Sequence, residues 1–357
     1  MDIDQIHTAH ADIQNTTLTK VAAAPLQPGE ARLEIEGFAL TANNVTYAAT
    51  GPVIGYWKFY PTEDPALGMV PVWGFARVTE SRSDVLEIGD RIYGFLPMAS
   101  HLTLRPEARG KAALRDITPH RVDLPPVYNT YMRCTDDTVK SDAERAIFHP
   151  LLATSYLLFD FLEDNDWFGA AQVIIGSASS KTGLGLAHYL AENKVANRRI
   201  IGLTSPGNVD FVKGLGTCDQ TITYDAIEAE LAKAPSVYVD MAGNADVRGR
   251  LHHHLGDDMK HSAAVGTSHW DKFEPTGDLP GARPRFFFAP AQIEKRRQEW
   301  GPGEIEKRID AAWRRVASTS DAWMDIKIHQ GLAAAEETYH ALSNGTVPGN
   351  EGHYITL

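Results

Sequence analysis

The chain has 357 residues, and its 34 Lys and Arg against 46 Asp and Glu give a formal net charge of −12. Such an acidic chain binds nucleic acid poorly, because neutralising phosphates requires a basic surface. Its 2 cysteines support neither a disulfide scaffold nor a four-thiolate zinc site. The sequence shows no signal peptide and no run of the ~20 apolar residues that span a bilayer. We therefore expect a cytoplasmic, globular, multi-domain protein with no nucleic-acid or membrane partner.

The first ~145 residues contain short apolar runs separated by Gly and Pro turn signals. Residues 32–36 alternate with period 2, as a strand does. Residues 70–79 and 88–95 also predict strands. This part of the sequence favours an irregular β-barrel or sandwich.

Helical spacing of apolar residues begins near residue 143 and continues to residue 161. The sequence then alternates between strand and helix patterns. The predicted strands are 172–175, 199–203, 220–224, 236–240 and 262–266, and the predicted helices are 184–196, 209–215 and 226–233. This alternation predicts a parallel sheet covered by helices on both faces, which is the doubly wound nucleotide-binding arrangement.

The last part of the chain has a looser pattern. Residues 285–288 predict a short strand, and residues 291–318 predict a helix with a break at the Gly-Pro-Gly of 301–303. A strand at 326–328, a helix that ends near residue 342 and a strand at 353–357 complete the prediction.

Residues 173–185 leave a buried strand, turn through small residues and open a helix. A helix start of this kind binds a pyrophosphate through free N–H groups and the helix dipole. Ala178, Ser180 and Gly183 hold the spacing of a G-x-G-x-x-G fingerprint, with two glycines replaced. The predicted phosphate-binding residues are Ser177, Ala178, Ser179, Ser180, Lys181, Thr182 and Gly183. The alternative is an ordinary turn between a strand and a helix.

The end of the second predicted strand favours NADP(H) over NAD(H). An acidic residue there would bind the ribose 2′-hydroxyl, but this segment has none. Thr204, Ser205 and Asn208 offer neutral donors to a 2′-phosphate, and Lys181 offers positive charge. The other interpretation of Lys181 is a solvated loop lysine.

These features together resemble the medium-chain dehydrogenase/reductase superfamily. The resemblance rests on the loop at 178–185, on 89–95 (GDRIYGF), on 240–244 (DMAGN) and on the terminal segments 331–342 and 352–357. It implies an α/β protein with a GroES-like irregular β-barrel domain, residues 1–145 and 321–357. A Rossmann-type NADP-binding domain, residues 146–320, would contain the doubly wound parallel sheet.

Three further segments resemble a bacterial and fungal branch described only as a domain of unknown function. They are residues 40–47, 70–76 and 287–292. The resemblance to this branch implies a fold and a class of cofactor, but it does not imply a substrate.

The chain departs from the zinc-dependent members of the superfamily. Their Gly-His-Glu segment corresponds here to Gly74-Phe75-Ala76, which has no ligand atoms, and the cysteine-rich zinc lobe is absent from the sequence. The histidine run 252–254, with His261 and His269, is the one cluster that could suggest a metal. Adjacent helical residues point in different directions, so we expect no metal site and interpret the run as a polar helix end.

Without zinc, the resemblance points to the quinone oxidoreductases and enoyl reductases. In those enzymes a hydride reduces a carbon conjugated to a carbonyl, and a tyrosine or water protonates the enolate. Tyr47 is the predicted proton donor and Asn44 a predicted hydrogen-bond donor to the carbonyl, in a segment that lines the nicotinamide cleft of related reductases. The alternatives are a core tyrosine and a turn-forming asparagine.

Other predicted site residues follow from position. Asp240, Gly243 and Gly266 lie at the carboxyl ends of predicted strands, where such sheets bind their ligands. Tyr56, Trp57 and Trp73 are expected to line a pocket for an apolar or aromatic small molecule, although aromatic residues also fill cores. The strand at 286–288 lies where the superfamily pairs subunits, so a homodimer is expected unless this strand is interior.

The sequence therefore predicts a zinc-independent, NADPH-dependent reductase of an activated C=C bond (enone or enoyl) or a quinone-like acceptor. One alternative is a lyase or isomerase that reuses the fold. The other is an NADP(H)-binding sensor without turnover, because fold does not determine function.

Overall fold

The computed structural model describes residues 1–193, 198–265 and 279–357. This part of the chain forms two compact units. The first contains Met1–Ile147, Asp325–Val347 and Glu351–Leu357, and the second contains Phe148–Met324 and Pro348–Asn350.

The first unit is rich in strands. Its strands are β1 (Asp2–Ala9), β2 (Asp12–Ala22), β3 (Ala31–Leu40), β4 (Leu67–Gly68), β5 (Pro71–Ser81), β6 (Arg91–Pro97), β7 (His101–Leu104), β8 (Pro106–Arg109), β9 (Ala113–Asp116), β10 (Thr130–Cys134), β17 (Asp325–Gln330) and β18 (Glu351–Thr356). Its helices are α1 (Ala42–Ala49), α2 (Gly51–Ile54), α3 (Pro126–Asn129) and α11 (Gly331–Ser343). A long helix, α4 (Val139–Asp164), contains residues of both units.

Nine strands of this unit form one sheet in the order β17-β18-β3-β5-β6-β10-β9-β8, with β7 also paired to β3. All of its strand pairs are antiparallel except β17 with β18. A second sheet has the order β2-β1-β4. Apolar side chains from both sheets and from α1 and α11 form a single core. The predicted irregular β-rich architecture is thus confirmed.

The second unit alternates strands and helices. Its strands are β11 (Gln172–Gly176), β12 (Arg199–Thr204), β13 (Gln220–Thr223), β14 (Ser236–Asp240), β15 (Met259–Ala264) and β16 (Pro284–Phe286). Its helices are α5 (Lys181–Glu192), α6 (Val209–Gly214), α7 (Ile227–Glu230), α8 (Ala245–Leu255), α9 (Ala289–Trp300) and α10 (Glu304–Ala317).

These strands form a parallel sheet in the order β13-β12-β11-β14-β15-β16. Numbered by first appearance, this is the order 3-2-1-4-5-6 of dinucleotide-binding folds. The residues of β11 and β14 are buried, which explains their nearly continuous apolar sequences. The predicted doubly wound sheet is confirmed. Its strand order reverses beside β11, where ligands bind in such sheets.

The structure corrects several predicted boundaries. Helix α5 begins at Lys181 rather than residue 184, because Ser180 caps it. Strand β15 begins at Met259, three residues before the prediction, because Met259 and His261 are also buried in the sheet. Helix α1 was not predicted, although Thr41 and Asn44 form a capping box at its start.

Among the described residues, β16 pairs only with β15 and is an edge strand of its sheet. Phe288, just after it, is 43% exposed. Across the same described part of the chain, no helix has the length and apolar character that a membrane crossing requires.

Candidate functional site

The predicted phosphate loop connects β11 to α5. Ser177 adopts a left-handed conformation with φ of 55°, which lets the chain reverse direction directly after the strand. The Ser180 hydroxyl donates a 2.7 Å hydrogen bond to the Ser177 carbonyl and accepts a 3.1 Å hydrogen bond from Gly183 N–H. The loop is therefore a compact turn whose last residue caps the helix.

Gly183 allows the close approach between the helix and the loop. A Cβ atom there would lie 2.5 Å from the Ser177 carbonyl oxygen and 3.1 Å from Ala178 Cα. Ala178 in turn is held by a 2.9 Å hydrogen bond from its N–H to the Leu203 carbonyl. The third glycine of the fingerprint thus has a steric role, whereas alanine fits at the first position.

The start of α5 is open to an anion, because the first N–H groups of a helix have no acceptor within the helix. Lys181 and Thr182 are its first two residues, and both are partly exposed. The Thr182 carbonyl accepts a 2.8 Å hydrogen bond from Ser155 of α4, which fixes the orientation of this turn.

The end of β12 combines a structural contact with a polar surface. Thr204 is fully buried, and its hydroxyl donates a 3.1 Å hydrogen bond to Ser179, so Thr204 connects the strand to the loop. Ser205 and Asn208 are partly exposed and are joined by a 3.0 Å hydrogen bond. These two residues are thus the better candidates for contact with a ligand.

Sequence analysis missed one segment beside this loop. A Cβ atom at Gly349 would lie 3.2 Å from the Ser179 carbonyl oxygen and 3.3 Å from Asn208 Oδ1. Gly349 is about 170 residues from the loop in sequence, and no local pattern marks it. Its lack of a side chain lets the chain approach Ser179 and Asn208 closely at this point.

Asp240 ends β14 and organises the turn after it. Its Oδ1 accepts hydrogen bonds from Ala242 N–H at 3.2 Å and Gly243 N–H at 2.8 Å, and Arg248 lies 3.5 Å from Oδ2. Burial raises the pKa of Asp240, against the opposing effect of the Gly243 N–H and Arg248. Asp240 and Gly243 therefore lie at the carboxyl edge of the sheet. Gly266 lies outside the described residues.

In the first unit, Tyr47 lies on α1 within a group of aromatic rings. Its hydroxyl oxygen accepts a 3.1 Å hydrogen bond from Trp73 Nε1. Burial raises the pKa of Tyr47 well above 10, and so does nearby Tyr128, whereas hydrogen bonds from Trp73 and Asn43 act in the opposite direction. Trp73 donates to this oxygen, and no hydrogen bond donated by the Tyr47 hydroxyl is seen among the described residues.

Asn44, the other predicted catalytic residue, is engaged in the structure of its own helix. Its Oδ1 accepts a 2.8 Å hydrogen bond from Thr41 N–H, and its Nδ2 donates a 2.8 Å hydrogen bond to the Pro71 carbonyl. Asn44 is 3% exposed. It holds the start of α1 against β5 and thereby positions Tyr47.

Tyr56 and Trp73 pack around Tyr47, as does Tyr128, which sequence analysis missed. The Tyr56 and Tyr128 hydroxyls are hydrogen bonded at 2.9 Å. The ring centroids of Tyr47 and Tyr56 are 4.5 Å apart, and those of Trp73 and Tyr128 are 6.3 Å apart. We call Tyr47, Tyr56, Trp73 and Tyr128 the aromatic group.

Trp57, predicted to line the same pocket, contacts other residues. Its ring lies 4.6 Å from the ring of His10 and fits against Gly51 and Gly68, where a Cβ atom would collide with it. Trp57 therefore anchors the segment that carries Tyr56. Adjacent side chains often point in different directions. The adjacency of Tyr56 and Trp57 in sequence therefore did not place both side chains on one surface.

The histidine run does not form a metal site. His252 is fully buried and hydrogen bonded to the Pro280 carbonyl at 2.9 Å and to Ser262 at 3.1 Å, whereas His253 and His254 bind other carbonyls of the chain. His252 is thus a core residue and not part of a polar helix end. Throughout the described residues, no three His, Cys, Asp or Glu side chains converge as a metal site requires. His269 lies outside them.

Comparison with solved structures shows the fold directly. CurA from Vibrio vulnificus in complex with NADPH aligns over 99% of this chain and 98% of its own, with a TM-score of 0.63 and 13% identity. The quinone oxidoreductase from Coxiella burnetii aligns over 100% of both chains, with a TM-score of 0.57 and 15% identity. A mutant form of the enoyl thioester reductase from Candida tropicalis does so with a TM-score of 0.58 and 12% identity. No curated protein matches the sequence.

The chain therefore shares the fold of these proteins, and at the level of the fold the resemblance seen in the sequence is confirmed. Residues 38–348 match the family DUF2855, described as proteins of unknown function. The chain belongs to this family.

Proposed function

We propose that this protein is an NADPH-dependent, zinc-independent oxidoreductase that reduces an activated C=C bond or a quinone-like acceptor. One observation carries the proposal. The chain combines a compact turn before a helix start, at the reversal point of a 3-2-1-4-5-6 sheet, with a tyrosine hydroxyl that accepts from Trp73 and is not seen to donate among the described residues. The first feature suits a dinucleotide, and the second suits a proton donor.

The residues of the second unit fit a dinucleotide. Gly183 lets the loop pack closely against the helix start, and Lys181 at that start adds positive charge. NADP(H) is favoured over NAD(H), because Ser205 and Asn208 present neutral donors without a carboxylate that would repel a 2′-phosphate. The NADPH bound to CurA, whose fold is similar, supports the same choice.

The chain's own residues account for the proton. Bound NADPH supplies the hydride, and the substrate must also take up one proton. Tyr47 is protonated at neutral pH, because burial raises its pKa, and can donate its hydrogen to the reduced substrate. Trp73 then stabilises the phenolate that remains, since its Nε1 donates to the Tyr47 oxygen. Asn44 acts as a positioning residue that holds α1 in place.

We also propose that two copies associate through the edge strand β16. The position of β16 at the edge of the sheet formed by the described strands and the exposed Phe288 support this arrangement. Light scattering should give about twice the chain mass of 39.2 kDa for the wild type. Phe288→Asp should shift the mass toward the monomer, and an unchanged dimer would refute a role for this edge.

The test of function is a titration with NADPH and NADH, followed by an NADPH-oxidation screen over enones, enoyl thioesters and quinones. We expect NADPH to bind at least tenfold more tightly than NADH and to be oxidised with one class of acceptor. Tyr47→Phe should keep NADPH affinity and lose about 10²–10⁴-fold in kcat, the range for one acid catalyst. Binding without turnover would favour a sensor or a lyase, and failure to bind either nucleotide would refute the proposal.

A further inference from the structure

The Tyr56–Tyr128 pair leaves one hydrogen-bond donor without a protein partner. Each phenol has one hydrogen to donate, and the 2.9 Å contact between the two oxygens uses one of them. The other hydroxyl hydrogen has no acceptor among the described residues. Tyr47 has the same property, so the aromatic group presents two uncommitted donors.

The aromatic group lies at the margin of the core. Trp73 and Tyr128 are partly exposed, whereas Tyr47 and Tyr56 are 5% and 6% exposed. The neighbouring phenols Tyr60 and Tyr131 differ, since both of their hydroxyls are buried and donate to the Phe95 carbonyl. The hydroxyls of the Tyr56–Tyr128 pair and of Tyr47 are therefore the better candidates for contact with a bound molecule.

Among the described residues, no charged side chain contributes to the pKa shifts of Tyr47, Tyr56 or Tyr128, although Arg121 donates a 3.4 Å hydrogen bond to the Tyr128 carbonyl. The pKa of Tyr56 is raised by burial first, and then by Tyr128 and Tyr47. Burial likewise raises the pKa of Tyr128, with Tyr56 acting in the opposite direction. Buried Arg121 acts on Tyr60 and Tyr131 instead, and it is paired with Asp116 at 3.2 Å. An anionic ligand would find no counter-ion in the aromatic group and would lose its hydration.

We infer that the Tyr56–Tyr128 hydroxyl pair is a second donor site for the substrate, which selects uncharged conjugated acceptors with two oxygen functions. Tyr47 donates a hydrogen bond to one oxygen of the substrate, and the Tyr56–Tyr128 pair donates to the other. Quinones and ene-diones have this pattern, whereas simple enones have one oxygen and carboxylates or phosphorylated thioesters carry charge. The aromatic rings provide an apolar wall for such a planar molecule.

This inference rests on the proposed function for its redox step but not for its binding step. In the redox step a quinone gains one hydride and one proton and becomes the hydroquinone, while NADPH becomes NADP⁺. Atoms and electrons therefore balance with the dinucleotide as the only reductant. Binding of the oxidised acceptor alone needs no dinucleotide and can be measured separately.

The test compares two neutral ligands in the absence of dinucleotide. The first is 2,3-dimethyl-1,4-naphthoquinone, which has two carbonyls and blocked positions for thiol addition. The second is 1-tetralone, which has a similar bicyclic shape and one carbonyl. The decisive variant is Tyr56→Phe with Tyr128→Phe, because either single variant retains one hydroxyl that can donate. Tyr339→Phe is the matched control, a phenol buried in the same core whose hydroxyl has no partner among the described residues.

The double variant should bind the naphthoquinone about 3- to 10-fold more weakly, the range that one neutral hydrogen bond supplies. Its affinity for tetralone should change less than twofold, and Tyr339→Phe should change neither. An equal loss for both ligands would show that the pair only shapes the fold and would overturn the inference, as would no loss for the naphthoquinone. Loss of NADPH binding or oxidation with this ligand preference intact would refute the proposed function alone.

Discussion

Replacing Gly183 by alanine should disable the phosphate loop while leaving the protein folded. The new Cβ atom would lie 2.5 Å from the Ser177 carbonyl oxygen and 3.0 Å from Ser180 Oγ. The first is a backbone atom, so the loop itself must move. Overpacking of this kind costs about 1–3 kcal/mol. Displacing Ser180 also weakens the helix cap, worth about 1 kcal/mol.

If ligand binding requires the original loop, this cost becomes a loss of affinity. About 1.4–2.8 kcal/mol corresponds to a 10- to 100-fold rise in the dissociation constant of NADPH. Fluorescence titration measures it directly. Gly249→Ala is the control, because no atom lies within 4 Å of its Cβ position on α8 and alanine favours a helix. Wild-type NADPH affinity in Gly183→Ala would refute the steric argument.

Three further changes test other parts of the structure. Asn44→Ala removes the Asn44 half of the capping box and the hydrogen bond to the Pro71 carbonyl, so urea unfolding should show a loss of about 1–3 kcal/mol in the free energy of unfolding. Wild-type stability would contradict its positioning role. Tyr339→Phe removes a buried hydroxyl that has no partner among the described residues, so the free energy of unfolding should rise by about 1 kcal/mol, and a fall would show that the hydroxyl is satisfied. Burial and Arg285 lower the pKa of His261 to about 4. Between pH values of about 4 and 6.5 the unfolded chain therefore binds more protons than the folded chain. The free energy of unfolding should fall by up to about 3 kcal/mol as the pH is lowered through this range. His261→Phe should flatten that slope, and an unchanged slope would exclude His261 as its source.

The architecture was predictable because its determinants are local and periodic. Strands β11, β12 and β14 are short apolar runs separated by helical segments, and such alternation leaves few topologies. The turn between β11 and α5 was predictable for the same reason, since a strand, a turn of small residues and a helix follow one another directly. The capping box of Thr41 and Asn44 was also a local signal, and recognising it would have predicted α1.

The parts that could not be predicted depend on contacts between distant residues. Tyr128 joins Tyr56 across 72 positions of sequence. Buried Arg121 is held by Asp116, Asn129 and Tyr131. A hydrophobicity pattern does not distinguish this arginine from an exposed one. Ser177 adopts a left-handed conformation, which serine rarely does. The sequence therefore does not predict this conformation.

The side-chain partners of the charged run at residues 295–297 were equally hidden. A helical charge run is usually a solvated face, so such a pattern does not predict ion pairs within the protein. In the structure, Lys295 pairs with Asp164, and Arg296 Nε lies 2.7 Å from buried Asp160. Arg297 pairs with Glu306 at 2.5 Å. The run therefore holds α9 to α4 and α10, which only the folded chain reveals.

Whether the protein is an NADPH-dependent reductase is tested most directly by anaerobic NADPH oxidation with 2,3-dimethyl-1,4-naphthoquinone, followed by quantification of NADP⁺ and hydroquinone. We predict a 1:1 yield of the two products. Turnover should depend on Tyr47 and should fall sharply when NADH replaces NADPH. Tight NADPH binding without oxidation by this quinone, an enone or an enoyl thioester would contradict the assignment as a reductase.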